Sequence, residues 1–136
     1  MEKILDTSKF EELMSEAREA SKYSYSPYSK FPVGAAVLYD TGNIYKGANV
    51  ENASYGLSIC AERNAISTAI TAGETGKLIA IAVYSPEQKN CFPCGACRQW
   101  LSEFKGDYLS VIVENETSCT RAFGIDELLP YSFELK

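Results

Sequence analysis

The sequence predicts an α/β fold built in three layers, α-β-α, around a mixed sheet of about five strands. Three observations lead to it. The chain opens on a stretch with helical apolar spacing, at residues 10–20. Two short apolar runs then flank a turn signal at residues 40–43. From residue 59 onward, helical and strand-length apolar segments alternate. Strand–helix–strand succession puts strands side by side in one sheet with helices on its faces. The 136 residues suffice for one hydrophobic core but hardly two, so a single domain over 1–136 is expected.

In the first segment Phe10, Leu13, Met14, Ala17 and Ala20 follow the spacing of one buried helix face. Ser8 and Glu11 have capping-box spacing for its start. Pro27 and Pro32 require the helix to end before "SYSPYSKFP", whose tyrosines read as turn and packing surface. "VGAAVLYD" and "NIYKGANV" are expected to pair across the turn Asp40-Thr41-Gly42-Asn43. A helix is predicted over 59–72, with Gly73 as its stop. "LIAIAVY", residues 78–84, is apolar throughout and predicts a central strand covered on both faces. A loop over 85–93 leads to a third helix carrying Trp100, Leu101 and Phe104 and ending near Gly106. "LSVIVE" (109–114) and "CTRAFG" are further strands, and "DELLP" is a short final helix.

The formal charge is -5, the sequence pI is about 4.8 and no basic cluster occurs. That balance weighs against a partner with a phosphate backbone, so no nucleic-acid polymer is expected. No apolar run approaches the length of a membrane span. "MEKILDTSKFEELMSEAREA" has early acidic residues and no signal-peptide block, which predicts a cytoplasmic protein without a membrane partner. In that compartment the five cysteines are better explained as metal ligands or reactive thiols than as disulfides. Histidine is absent, so any metal site must use thiolate or carboxylate, and any acid–base group must be something other than imidazole.

The stretch "NCFPCGACRQW" reads C-x-x-C twice. Residues i and i+3 lie about 60° apart around a helix, so Cys94 and Cys97 fit one face of its first turn. Pro93 suits the first helical position and biases Phe92 away from helical backbone. Cys91 therefore falls before the helix, and it and Cys119 read as ordinary thiols. Two thiolates do not fill a tetrahedral zinc site, and Cys60, at the start of another predicted helix, is the nearest third ligand. Three protein ligands with an open fourth position is the pattern of a catalytic zinc. Glu62 lies roughly 200° from Cys60 around an ideal helix, so it reads as a proton shuttle beside the metal rather than a ligand. Arg63 shares the face of Cys60 and can offset the charge of three thiolates.

Cys60-Ala61-Glu62 and Pro93-Cys94-Gly95-Ala96-Cys97 resemble the zinc deaminase signature, in its three-cysteine form. The closer resemblance is to the small cytidine deaminases of pyrimidine salvage and spans nearly the whole chain. "YSPYSKFPVGAA", "GANVENASY", "CAERNA", "PCGACRQ" and "ELLP" are similar to that family's blocks and stand in the same order. The resemblance implies one Zn²⁺ per chain held by Cys60, Cys94 and Cys97, with Glu62 as catalytic proton shuttle and Arg63 bonded to the thiolates. It implies that Asn49 and Glu51 bind the ribose, that Phe31, Ala53 and Tyr55 line the nucleoside pocket, and that Gln99 supports the zinc shell. Phe133 matches a phenylalanine that reaches the base in a neighbouring subunit. The implied assembly is a homotetramer with sites at subunit boundaries. The implied reaction is hydrolytic deamination of cytidine and 2′-deoxycytidine, with metal-activated water attacking C4. Three alternatives stand beside it: a deaminase of a blasticidin-type antibiotic, a nucleic-acid-editing deaminase, and a non-enzymatic zinc module.

Overall fold

The computed structural model describes residues 6–135, so the first five residues and the last of the expected domain lie outside the described residues. Helix α1, Thr7–Ser21, is capped by Asp6, whose carboxylate accepts from the Lys9 amide at 3.0 Å. Ser8, expected as the cap, lies inside the first turn and donates to Asp6 instead. An aspartate two residues earlier is at least as good a cap as serine and takes the position. Leu13, Met14, Ala17 and Ala20 are the buried face, as their spacing predicts.

Strands β1 (Gly34–Tyr39) and β2 (Ile44–Ala48) form the expected antiparallel hairpin, with Gly42 at φ 91° in its turn. A single 3-10 turn, Tyr55–Leu57, precedes α2, Ala61–Thr71, and Gly73 at φ 88° follows that helix. β3 (Leu78–Tyr84), α3 (Gly95–Phe104) and β4 (Lys105–Glu114) make a strand–helix–strand crossover, and β3 and β4 pair in parallel. β5 (Thr120–Gly124) returns antiparallel to β4, and α4 (Ile125–Leu128) closes the order. The five-stranded mixed sheet runs β2-β1-β3-β4-β5.

β4 begins earlier than the predicted 109–114, and Gly106 lies in the strand rather than at the end of the helix. Lys105 pairs with Leu78, the register then slips, and pairing resumes at Ala80 with Ser110. Residues 105–108 are not buried, so no apolar alternation marks this extension in the sequence.

Alternate strand residues feed two cores, because successive side chains leave opposite faces of a sheet. Ala36, Leu38, Ala80, Ala82 and Ile112 pack with Leu13, Met14 and Ala17 of α1. Ala35, Val37, Ile81, Val83 and Val111 pack on the other face with Ala61, Ala65 and Ile66 of α2 and Leu101 of α3. These are the three layers expected. Two glycines set the layer spacing: a Cβ on Gly34 would stand 2.0 Å from the Ala17 carbonyl oxygen, and one on Gly47 2.3 Å from the Ala65 amide nitrogen. The second contact seats α2 directly on β2, and Asn64 Nδ2 ties it there through the Ala48 carbonyl at 2.7 Å.

Since α2 leads into β3 and β3 into α3, the N-termini of α2 and α3 meet at the carboxyl end of β3. In sheets with parallel strands, that end is where ligands bind.

Candidate active site

Cys60 and Cys94 are the N-cap residues of α2 and α3, each with extended backbone (φ -72°, ψ 155° and φ -68°, ψ 171°). Neither side chain caps its own helix, which leaves both thiols free to point elsewhere. Cys97, one turn into α3, is fully buried. Pro93 stands one residue before the cap rather than at the first helical position, which Gly95 fills. The proline is anchored by Arg98, whose Nε donates to its carbonyl at 2.8 Å while Nη1 reaches the Leu128 carbonyl at 2.9 Å. That role for Arg98 has no signature in the motif.

The three sulfurs lie within 4.8 Å of one another, with Cys60 and Cys94 Sγ 4.0 Å apart. Tetrahedral thiolates about 2.3 Å from a zinc stand roughly 3.8 Å apart, so the donor set fits that ion. Arg63 Nη2 donates to Cys60 Sγ at 3.3 Å, the contact its spacing predicts. The Cys60 thiol is lowered to about 5 by a hydrogen bond from Cys97 and by Arg63, against the cost of burial. The same contact, with burial, raises the Cys97 thiol. Both helix N-termini add to the pull toward thiolate.

Glu62 is 5% exposed and lines the same pocket, of about 210 Å³, as Cys60 and Cys94. The 200° estimate assumes that Cys60 is helical. Because Cys60 is an extended cap, helical rotation begins only at Ala61, and Glu62 can face the cluster. Burial, reinforced by the charge on Cys60, raises its carboxyl to about 7. It supplies no ligand atom to the three-sulfur cluster.

Phe31 and Asn49 line this pocket with the cysteines. Asn49 Oδ1 accepts from the Val33 amide at 2.9 Å and from the Ser24 hydroxyl, and Nδ2 donates to the Phe31 carbonyl at 2.9 Å. Glu51 and Tyr55 lie in an adjacent cleft with Tyr28, Ser29 and Ser58. The Glu51 carboxylate accepts from the Tyr28 and Ser29 amides at 3.0 and 3.1 Å and from the Ser29 hydroxyl. The Ser29 bonds hold it below the usual carboxylate range. Ala53 sits on an exposed bend. Tyr55 and Phe133 are 75% and 69% exposed. Gln99 does not reach the thiols in this chain: its Nε2 donates to the Phe133 carbonyl at 3.2 Å.

Three residues of the pocket wall escape the motif reading: Gln88, Cys91 and Phe92. Cys91, set aside as an incidental thiol, is buried against the site, and burial followed by the Glu62 charge raises its thiol to about 11. The usable signal was topological. A short loop running from the carboxyl end of a central strand to a ligand-bearing helix has to pass the site.

Comparison with known proteins agrees with this geometry. The profile of the cytidine and deoxycytidylate deaminase zinc-binding region matches residues 7–113. The chain is 40% identical over 123 residues to the cytidine deaminase of Sporosarcina psychrophila, covering 90% of each. It is 42% identical over 121 residues to that of Halalkalibacterium halodurans, covering 89% of this chain and 91% of the relative. Among solved structures, the cytidine deaminase of Burkholderia pseudomallei superposes with a TM-score of 0.83 at 42% identity, over 90% of this chain and 98% of that one. That of Mycobacterium tuberculosis gives 0.82 at 38%, over 93% and 98%. With the profile covering both cysteine motifs and two relatives matched over nearly their full length, the chain belongs to the cytidine and deoxycytidylate deaminase family.

Proposed function

We propose that this chain hydrolyses cytidine and 2′-deoxycytidine to the uridine product and ammonia, as a cytoplasmic enzyme of pyrimidine salvage. One observation carries the reading: a buried carboxyl raised to about 7 shares a pocket with Cys60 and Cys94, two of three converging thiols. Cys60, Cys94 and Cys97 would hold the zinc, which supplies a Lewis acid that makes water nucleophilic near neutral pH. Arg63 offsets the net charge of about -1 that three thiolates leave on a divalent ion.

Glu62 accepts a proton from the attacking water and delivers it to ring N3, so that the electron demand at C4 rises as attack occurs. It then moves the proton of the new C4 hydroxyl to the departing amine, so that the C4 carbonyl forms as the C4–N bond breaks and ammonia leaves. A carboxyl near pH 7 can both take and give a proton, and burial is what brings it there.

Asn49 keeps one Nδ2 hydrogen free after its bonds to Phe31 and the loop, enough to donate to a sugar hydroxyl. Glu51 spends three acceptor sites on residues 28–29 and retains capacity for a further hydroxyl. Phe31 offers a ring to the base. Tyr55 and Ala53 border the nucleoside beside Glu51, and Phe133, exposed here, completes the pocket from a neighbouring copy in a homotetramer. Tyr28 and Tyr55, exposed and in edge contact with ring centroids 6.2 Å apart in the Glu51 cleft, support that assembly, because exposed aromatic surface at a cleft calls for a cover.

The test is a substrate panel of cytidine, deoxycytidine, cytosine, CMP, blasticidin S and single-stranded DNA, followed by ultraviolet absorbance. Turnover confined to the two nucleosides is expected, and inert cytidine overturns the reading. Sedimentation should give four chains per particle, and a monomer that is fully active refutes the shared site.

A further inference from the structure

The wall formed by Gln88, Cys91 and Phe92 belongs to the loop between β3 and α3, and that loop has no regular structure of its own to hold it. The Gln88 amide donates to the Ser85 carbonyl at 3.4 Å and Arg98 holds Pro93, and the fixings between them lead to the end of β4 and the turn beyond. The Asn90 amide donates to the Glu114 carbonyl at 2.8 Å, and Asn90 Nδ2 donates to Glu116 Oε1 at 2.7 Å. Lys89 Nζ donates to Glu114 Oε1 at 2.6 Å and to Ser118 Oγ at 3.3 Å. The carboxylate between them is 8% exposed, and its other oxygen accepts from Arg18 Nη2 of α1 at 2.6 Å. Arg18 is itself held over the Tyr84 ring, 5.0 Å from its centroid, where β3 gives way to the loop.

Asn90 adopts φ 51°, a left-handed conformation that asparagine tolerates better than other non-glycine residues and that turns the loop here. The Phe92 amide then closes back on the Asn90 carbonyl at 2.9 Å, and the Phe92 ring is set against Phe123 with centroids 5.1 Å apart. Lys89 and Asn90 thus lie directly between the ionic contact and two of the three wall residues. A buried carboxylate must keep its cations, since an unpaired buried charge is costly. Glu114 therefore grips the loop more firmly than a surface ion pair would.

We propose that Arg18, Glu114 and Lys89 form a positioning clamp that holds the Gln88–Phe92 wall in its binding geometry and thereby sets substrate affinity. The proposal rests on the reading of that pocket as the site of the cytidine base. None of the three touches the reacting atoms, so the clamp acts on binding: it should move KM and leave kcat almost unchanged.

The test uses the full-length, zinc-loaded protein. Lys89→Met should raise KM for cytidine about 5-fold, equivalent to about 1 kcal/mol at 1.4 kcal/mol per tenfold, with kcat and zinc stoichiometry retained. Lys89→Arg should restore the parental KM. Hydrogen exchange at the Asn90 and Phe92 amides should quicken in Lys89→Met. Lys46→Met, which removes a pair with the exposed Glu16 at 3.2 Å through an equally exposed lysine on the edge strand β2, should change none of these. An unchanged KM in Lys89→Met, or an equal rise in Lys46→Met, overturns the clamp. If the parental protein leaves cytidine untouched, the functional reading fails instead. Hydrogen exchange alone then decides: faster exchange upholds the clamp and parental exchange overturns it.

Discussion

Replacing Gly47 by alanine tests how the fold carries the site. The new Cβ would lie 2.3 Å from the Ala65 amide nitrogen and 2.8 Å from both the Ala61 carbonyl oxygen and Ala65 Cα, all backbone atoms of α2. No side chain can swing away, so the helix itself must retreat by about 1 Å to reach ordinary contact. Overpacking of this kind costs about 1–3 kcal/mol, and stiffening the unfolded chain returns about 0.4–1 kcal/mol. A net loss of about 1–2 kcal/mol lowers Tm by roughly 3–8 °C for a domain of this size. The larger effect is on catalysis. α2 carries Cys60 and Glu62 while α3 carries Cys94 and Cys97, so a shift of α2 alone pulls the site apart. Misplacement by about 1 Å can cost about 10²-fold in rate. Steady-state kinetics with cytidine, zinc content by elemental analysis and urea denaturation measure the three consequences. A Gly47→Ala protein with parental kcat/KM and zinc content would refute the claim that this contact sets the position of α2.

Glu62→Gln keeps the shape of the buried side chain but not the proton, so kcat should fall by about 10²–10⁴-fold with zinc and fold intact; elemental analysis and far-ultraviolet dichroism check the intact parts. Cys94→Ala should lower bound zinc well below one per chain, and unchanged stoichiometry would remove Cys94 from the ligand set. Glu74 accepts from Thr41 Oγ1, Asn43 Nδ2, Tyr45 Oη and the Gly76 amide, joining the β1–β2 turn to the loop after α2. Those bonds, led by the one from Asn43, depress its carboxyl to about 2. A depressed folded value means that its stabilisation is whole above about pH 4.5 and is lost as the pH falls toward 2. The Glu74→Gln protein should therefore show a flatter dependence of urea midpoint on pH across that window, and parallel curves would contradict the assignment.

Sequence alone determined the element order, the three layers and the identity of the cysteine cluster. Each of these is a short-range property. Helical and strand periods repeat within a few residues, as in Leu13, Met14 and Ala17 or in "LIAIAVY", and C-x-x-C spacing on a helix start already aligns two thiols. The capping error at Ser8 and the missed start of β4 were local too, and arose where polar residues left no apolar pattern to read. What tertiary structure decided is which distant segments share a pocket. Glu51 and Asn49, two residues apart, fall in different clefts on either side of Val50, which is bridged to both Tyr25 and Ile59. Gln99, in the same motif as Cys97, turns to the Phe133 carbonyl. Cys91, outside every motif, joins the wall because Asn90 is bonded to the end of β4, a strand 15 residues further along the chain at its nearest point. Contacts between residues far apart in the chain depend on sheet register and on the closeness that Gly34 and Gly47 permit, and neither leaves a repeating mark in the sequence.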